Sequence, residues 1–220
     1  MKSYFVTLGF NETFLLRLLN ETSAQRGDNL TVVVPSPVSS GTRMAFENLR
    51  VQAGRLYGVE PQLVEVAVPG EFAEVFPKFV DLILPMGEPV ITDLTVGMRS
   101  FDVFILLSLL VSGKDFQVYV RDENGGWVMG FGRREVRALL RDYSAEEIRL
   151  LLEVEKGKTS LEELARVLGK AGKTVQTKVS ELKKFSLLHQ AGKDRAVTLT
   201  PLGKAVIRLR VGTQRGDRDT

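Results

Sequence analysis

The chain has no cysteine, a single histidine and a single tryptophan among its 220 residues. Without cysteine there is no disulfide framework, no zinc ribbon and no thiol nucleophile. One imidazole, His189, cannot build a multi-histidine metal site, so no metal is expected. It is the only candidate base for a serine–histidine type of chemistry. Long apolar runs are also missing. The longest, Val103 to Val111, is interrupted by Ser108 and falls well short of the ~20 residues of a membrane-spanning helix. The opening Met1-Lys2-Ser3-Tyr4-Phe5-Val6-Thr7 lacks the architecture of a secretory signal, so the expected location is cytoplasmic, with no membrane partner. A composition of 44% hydrophobic and 26% charged residues is that of a globular chain, long enough for one large or two small domains.

The net charge of +3 hides an asymmetry. Residues 1–142 carry 14 Lys/Arg and 17 Asp/Glu, whereas residues 143–220 carry 16 and 10. A slightly acidic first part joined to a basic second part is the pattern of a partner or sensor domain attached to a nucleic-acid-binding module. Clustering, rather than net charge, is what releases counterions. From Lys158 to Arg210 there are 12 basic and 4 acidic residues.

Residues 1–132 alternate strand and helix patterns. Apolar, β-branched runs at Ser3–Leu8, Leu30–Val34, Leu63–Val68 and Pro89–Thr92 predict strands, the second stopped by Pro35-Ser36-Pro37. Helical spacing follows each: Phe14 to Leu19, Thr42 to Tyr57, Glu71 to Leu84 (with Pro77 as a kink or break) and Phe101 to Val111. A last hairpin pairs Phe116–Arg121 with Trp127–Phe131 across a turn at 122–126. This alternation predicts an α/β, Rossmann-like domain with a mainly parallel sheet. Such sheets bind ligands at the carboxyl ends of their strands, where strand order reverses. In the usual order the reversal lies between the first and fourth strands, which singles out the turns Gly9-Phe10-Asn11-Glu12 and Asp93-Leu94-Thr95-Val96-Gly97-Met98-Arg99.

Neither turn has the Gly-x-Gly-x-x-Gly or Walker pattern, which argues against NAD and ATP. The second carries a hydroxyl (Thr95), an approachable backbone (Gly97) and a guanidinium (Arg99) where a helix begins, a set suited to a phosphate-bearing ligand. The plainer alternative makes Asn11 and Thr95 helix caps and Gly9 a strand-end turn. The helix Phe101–Val111 lacks a wide polar face and is expected as a central core helix or a dimer contact.

Residues 133–143, with Arg133, Arg134, Arg137 and Arg141, form a basic linker with helical spacing at Val136, Leu139 and Leu140. Beyond it, Ser144-Ala145-Glu146-Glu147 and Ser160-Leu161-Glu162-Glu163 are capping boxes that open two helices. A turn at Lys170-Ala171-Gly172 leads to a third, with Val175, Val179 and Leu182 on its apolar face. A two-stranded ribbon around residues 189–199 with a basic tip and a Pro201-initiated helix complete residues 144–220. Only a frayed tail is expected after Gly212. This is the order of a winged helix-turn-helix that binds double-stranded DNA. Its third helix presents Lys173, Thr174, Gln176, Thr177 and Ser180 toward base edges, Lys178, Lys183 and Lys184 toward phosphates, and its wing adds Lys193 and Arg195. His189 is expected as a partly buried strand residue without a catalytic role.

Taken together, Thr7-Leu8-Gly9-Phe10-Asn11-Glu12 after the first strand, Asp93-Leu94-Thr95-Val96-Gly97-Met98-Arg99 after the fourth and the C-terminal helices resemble the archaeal CRISPR-associated transcriptional regulators. These join a CRISPR-associated Rossmann-fold (CARF) sensor to a winged helix-turn-helix. The resemblance covers nearly the whole chain. It implies a homodimer through the sensor domains and binding to CRISPR or cas promoters. It also implies a cyclic oligoadenylate ligand, most often cyclic tetra-adenylate, across the twofold axis, and no cofactor. The ligand set it implies is Leu8, Gly9, Phe10, Asn11, Asp93, Thr95, Val96, Gly97, Met98 and Arg99. Val96 stands where the family commonly has glycine, and its Cβ disfavours positive φ, which bears on ligand affinity. Two alternatives accompany this reading. One is a slow, metal-independent ring nuclease using Thr95 or Arg99; the other is a constitutive repressor with a vestigial sensor.

Overall fold

The computed structural model describes residues 1–68, 71–122, 128–190 and 196–216, with side chains described up to residue 210. The chain divides into two compact units, 1–133 and 134–220. No helix among the described residues is long and apolar enough to cross a membrane.

The first unit runs β1 (Ser3–Thr7), α1 (Thr13–Glu21), β2 (Asn29–Ser36), α2 (Ser40–Tyr57), β3 (Pro61–Ala67), α3 (Phe72–Ile83), β4 (Val90–Asp93), α4 (Arg99–Ser112), β5 (Phe116–Arg121) and β6 (Val128–Gly132). Its six strands lie in the order β3-β2-β1-β4-β5-β6. All neighbours are parallel except the edge pair β5–β6. Strand order reverses between β1 and β4, which pair through Ser3↔Val90 and Tyr4↔Ile91. The carboxyl ends of these two strands therefore flank the crevice expected of such a sheet.

β1 shows why the apolar run is unbroken. Tyr4, Val6 and Leu8 enter the core with Leu15, Leu18 and Leu19 of α1 and Phe46 and Leu49 of α2. Phe5 points the other way and meets Phe79 of α3 edge-on, and Phe79 in turn meets Phe101 of α4. A strand covered on both faces has no solvent face to mark with polar residues. Burying each such side chain contributes about 1.5–3 kcal/mol.

Two expectations shift here. β2 does not stop at Pro35 but continues to Ser36, with Pro35 opposite Val66 of β3. β1 ends at Thr7↔Val33, so by Pro35 the strand is paired on one side only and the missing N–H leaves no gap in a second ladder. α3 likewise runs through Pro77, its stripe of Val75, Phe79 and Ile83 staying buried on both sides of the ring.

The second unit runs α5 (Arg133–Leu140), α6 (Ala145–Glu155), α7 (Leu161–Leu168), α8 (Gly172–Lys184), β7 (Leu188–His189), β8 (Thr198–Leu199) and α9 (Pro201–Gly216). Both serine caps form: Ser144 and Glu147 exchange hydrogen bonds in a complete capping box, and Ser160 accepts from the Glu163 amide. Leu150, Leu151, Leu164, Val175, Val179, Leu182 and Val206 fill the core. Segment 133–143 is built into this unit. Ala138 lies in its core, the Tyr143 hydroxyl donates to the Ala138 carbonyl, and Arg210 donates to the carbonyls of Leu139 and Arg141. Gly203 of α9 sits hard against the Leu187 carbonyl, leaving no room for a Cβ. β7 pairs antiparallel with β8. His189 lies on β7 but is exposed rather than partly buried, because the strand is only two residues long and its outer face is uncovered.

Candidate ligand cup and nucleic-acid interface

The turns after β1 and β4 meet. A Cβ on Gly9 would lie 3.7 Å from the Gly97 amide nitrogen and 3.8 Å from its Cα. Gly97 has φ +107°, and a Cβ there would overlap the Thr7 side chain, 2.5 Å from its Cβ and nearer still to its hydroxyl. Glycine is therefore demanded at position 97 by both backbone conformation and space. Val96, the departure from the family pattern, does not adopt positive φ. Its side chain is turned into the protein and its carbonyl accepts the Thr7 hydroxyl.

Around this junction the expected residues separate into a rim and a support. Phe10, Asn11, Gly97, Met98 and Arg99 are exposed, and Gly9 and Thr95 half-buried. Phe10 is 78% exposed, and its ring lies over Gly41, where a Cβ would approach within 2.8 Å. The Asn11 side chain accepts the Thr13 amide at 2.8 Å, an Asx-turn just ahead of α1, whose N-cap position is Glu12 and carries no side-chain cap. Leu8, Asp93 and Val96 are buried and offer no side chain to solvent.

Asp93 is instead the centre of the support. One carboxylate oxygen accepts the Thr95 amide at 3.0 Å; the other meets Arg121 Nε at 2.5 Å. The Arg121 guanidinium, fully enclosed, also pairs with Glu21 at 2.7 Å, and its backbone amide donates to the Thr95 hydroxyl at 2.8 Å. The remaining Arg121 nitrogen, Nη2, has no partner among the described residues. Burial acts to lower the pKa of this guanidinium, but the bonds to Asp93 and Glu21 outweigh it and hold the group above its ordinary value. The Thr95 oxygen, expected as a ligand group, is thus used as an acceptor within the protein.

Asp102, in the first turn of α4, lies 3.1 Å from the Thr7 hydroxyl. Burial pushes its pKa up to about 7; the Thr7 hydrogen bond and Arg99 oppose this, and the Asp93 charge adds to it. Neither Arg121, Glu21 nor Asp102 figures among the residues expected from sequence. Arg121 ends a mostly apolar strand and Asp102 interrupts an apolar helix, and those two polar intrusions were the available signal.

In the second unit α8 buries Val175, Val179 and Leu182 and exposes Lys173, Thr174, Thr177, Ser180 and Lys184. Gln176 donates to the Ser180 hydroxyl at 3.3 Å, and Thr177 and Ser180 each donate to the carbonyl four residues earlier. Two of the expected phosphate ligands are already engaged. Lys178 pairs with Glu146 of α6 at 3.2 Å, and Lys183 donates to the Gln190 carbonyl at 3.3 Å. Lys193 and Arg195 lie outside the described residues. Among the described residues no group of three or more His, Asp or Glu side chains is placed to hold a metal ion.

Residues 2–132 match a family model described as the Csa3 CRISPR-associated Rossmann-like domain. The chain is 55% identical over 212 residues to the CRISPR locus-related protein Csa3 of Saccharolobus solfataricus, whose name carries a provisional DNA-binding assignment; the match covers 95% of this chain and 89% of that one. Solved structures give remote likenesses. Vibrio cholerae protein VC1899 matches with TM-score 0.47 at 9% identity, over 94% of this chain and 64% of that one. Can2 of Sulfobacillus thermosulfidooxidans, solved with cyclic tetra-adenylate, matches with TM-score 0.46 at 11% identity, over 91% and 76%. On the family match across the sheet domain and the identity along almost its full length, the chain belongs to the Csa3 family of CRISPR-associated proteins.

Proposed function

We propose that this protein is a dimeric DNA-binding regulator of CRISPR loci whose first unit is a CARF sensor for a cyclic oligoadenylate, cyclic tetra-adenylate in particular. The observation that carries the reading is the convergence of two glycine-bearing turns, Gly9 and Gly97, at the strand-order reversal. Exposed Phe10, Met98 and Arg99 surround it. A flat, apolar ring suits an adenine face, and a guanidinium at the first turn of α4 suits a phosphate. Val96 lends no support to a vestigial sensor, because the position needing positive φ is Gly97.

The order α6–α7–α8–β7–β8–α9 supports a winged helix-turn-helix in the second unit, with α8 as the recognition helix. Lys173, Thr177, Ser180 and Lys184 form its outward face. A ligand regulates DNA binding only if it prefers one of two dimer arrangements, and these would differ in the spacing of the two recognition helices. The test is a fluorescence-anisotropy titration of a promoter duplex from the protein's own CRISPR locus at fixed salt, with and without saturating cyclic tetra-adenylate. A several-fold change in Kd is expected. An unchanged Kd, with ligand binding verified by calorimetry, overturns the coupling.

A further inference from the structure

Glu146 occupies an unusual place in the second unit. It stands in the first turn of α6, and its two carboxylate oxygens are divided between two lysines. Oε1 meets Lys170 Nζ at 2.7 Å and Oε2 meets Lys178 Nζ at 3.2 Å. Lys170 lies in the turn between α7 and α8, and Lys178 is one helical turn beyond Thr174 on α8. Glu146, Lys170, Thr174 and Lys178 line a small recess between α6, α7 and α8 together with Arg149 and Leu168. One acidic side chain thus holds two of the cations carried by the very elements that approach DNA in the proposed reading. Lys170 and Glu146 are each nearly half exposed, so the three charges meet at the surface, where phosphate can reach them.

We infer that Glu146 is a specificity-determining residue, a carboxylate clamp that withholds Lys170 and Lys178 from the backbone of any duplex that lacks the base contacts to displace it. The inference rests on the DNA-binding reading and deepens it. Surface ion pairs of this kind contribute little, so phosphates can exchange for the carboxylate. Each exchange nevertheless starts from an occupied lysine rather than a free one. The carboxylate itself repels a phosphate within a Debye length of ~10 Å at 0.1 M salt. On random sequence, where affinity is nearly all counterion release, the clamp removes two contributors. On a cognate site, base-edge contacts from the outward face of α8 supply the difference, and both lysines are released to the backbone. The two lysines hold the Glu146 carboxyl below its ordinary pKa, the hydrogen bond from Lys170 first among the causes, which keeps it ionised under ordinary assay conditions.

The experiment compares full-length wild type, Glu146→Gln, Lys178→Gln and the double variant on a random-sequence duplex, with Kd measured across a series of salt concentrations. Glutamine retains the shape and the helix-forming tendency at an exposed position, so the fold is kept, and circular dichroism verifies it. Glu146→Gln is expected to bind random duplex about tenfold more tightly at low salt. Its log Kd against log salt line should steepen by about one to two, near 0.9 for each lysine released. Lys178→Gln should change the slope little in the wild-type background and reduce it by about one in the Glu146→Gln background. An unchanged slope in Glu146→Gln, with wild type binding duplex measurably, overturns the clamp and leaves the DNA reading standing. If neither wild type nor Glu146→Gln binds any duplex at low salt, the DNA reading falls and the clamp falls with it.

Discussion

Gly97 and Thr7 are packed so closely that a methyl group on Gly97 would stand 2.5 Å from the Thr7 Cβ, with the backbone at φ +107°. Gly9, across the same junction, has only ordinary contacts for an added Cβ, at 3.7 and 3.8 Å. The two glycines therefore differ in consequence. Gly97→Ala combines a positive-φ penalty with an overlap, and should destabilise the first unit by about 1–3 kcal/mol and abolish the proposed cyclic tetra-adenylate binding. Gly9→Ala should leave stability nearly unchanged. Thermal unfolding of both variants checks this; equal losses would mean that the turns do not interlock in this way.

Among the described residues Arg121 is the only cation bonded to Asp93, and both side chains are fully enclosed. Removing one partner of a buried pair leaves the other charged and desolvated, at about 3–5 kcal/mol. Arg121→Met should therefore lower the denaturation midpoint more than Glu21→Gln, since Glu21 is substantially exposed and can recover water. The double variant Arg121→Met with Asp93→Leu should recover part of the loss, because no buried charge is left alone and the exposed Glu21 is hydrated. A double variant no more stable than Arg121→Met would show that the pair does not act as a unit.

These two pairs mark where sequence pattern stops being informative. The strands of the parallel sheet were legible because a ribbon covered on both faces writes a continuous apolar run, as Tyr4-Phe5-Val6 does. The usual strand order then brought forward the two turns that converge. What was not legible is the support beneath them. Arg121 and Glu21 are 100 positions apart, and Thr7 and Asp102 are 95 apart, so no local period links them. Asp102 is a polar intrusion in an apolar helix and Glu146 stands beside the capping glutamate Glu147, and in neither case does the local pattern name the distant partner. The same holds for Lys178 and Lys183, which helical spacing places on the polar side of α8 without revealing that other elements already hold them.

Asp102 gives the first unit a pH dependence of definite sign. Its folded pKa is raised from 3.8 to about 7, so between these values the folded state holds a proton that the unfolded state has released. Stability should fall as pH rises from about 4 to 7 and level off above that, with a total on the order of 4 kcal/mol from this group. Asp102→Asn, which remains neutral, should flatten that part of the curve and be the more stable form at pH 8. Calorimetric midpoints of wild type and variant from pH 5 to 8 test this. Parallel curves for the two proteins would remove Asp102 from the account.

The outer face of α4 bears on the proposed dimer. Phe101, Ile105 and Leu109 are buried against the sheet, whereas Val103, Leu110 and Val111 remain 55%, 37% and 64% exposed. Positions 103 and 110 are two helical turns apart and share one side with the half-buried Leu107, so the uncovered residues form a stripe rather than a scatter. The stripe begins about one turn beyond Met98 and Arg99. A twofold contact there brings the same helix of a second copy against the first and places two ligand cups side by side. Val103→Glu with Leu110→Glu puts two like charges from each copy into that contact while leaving the buried side of α4 intact. The double variant should sediment as a folded monomer where wild type sediments as a dimer, and should lose affinity for a symmetric cyclic ligand. A double variant that remains a dimer would move the twofold contact away from α4.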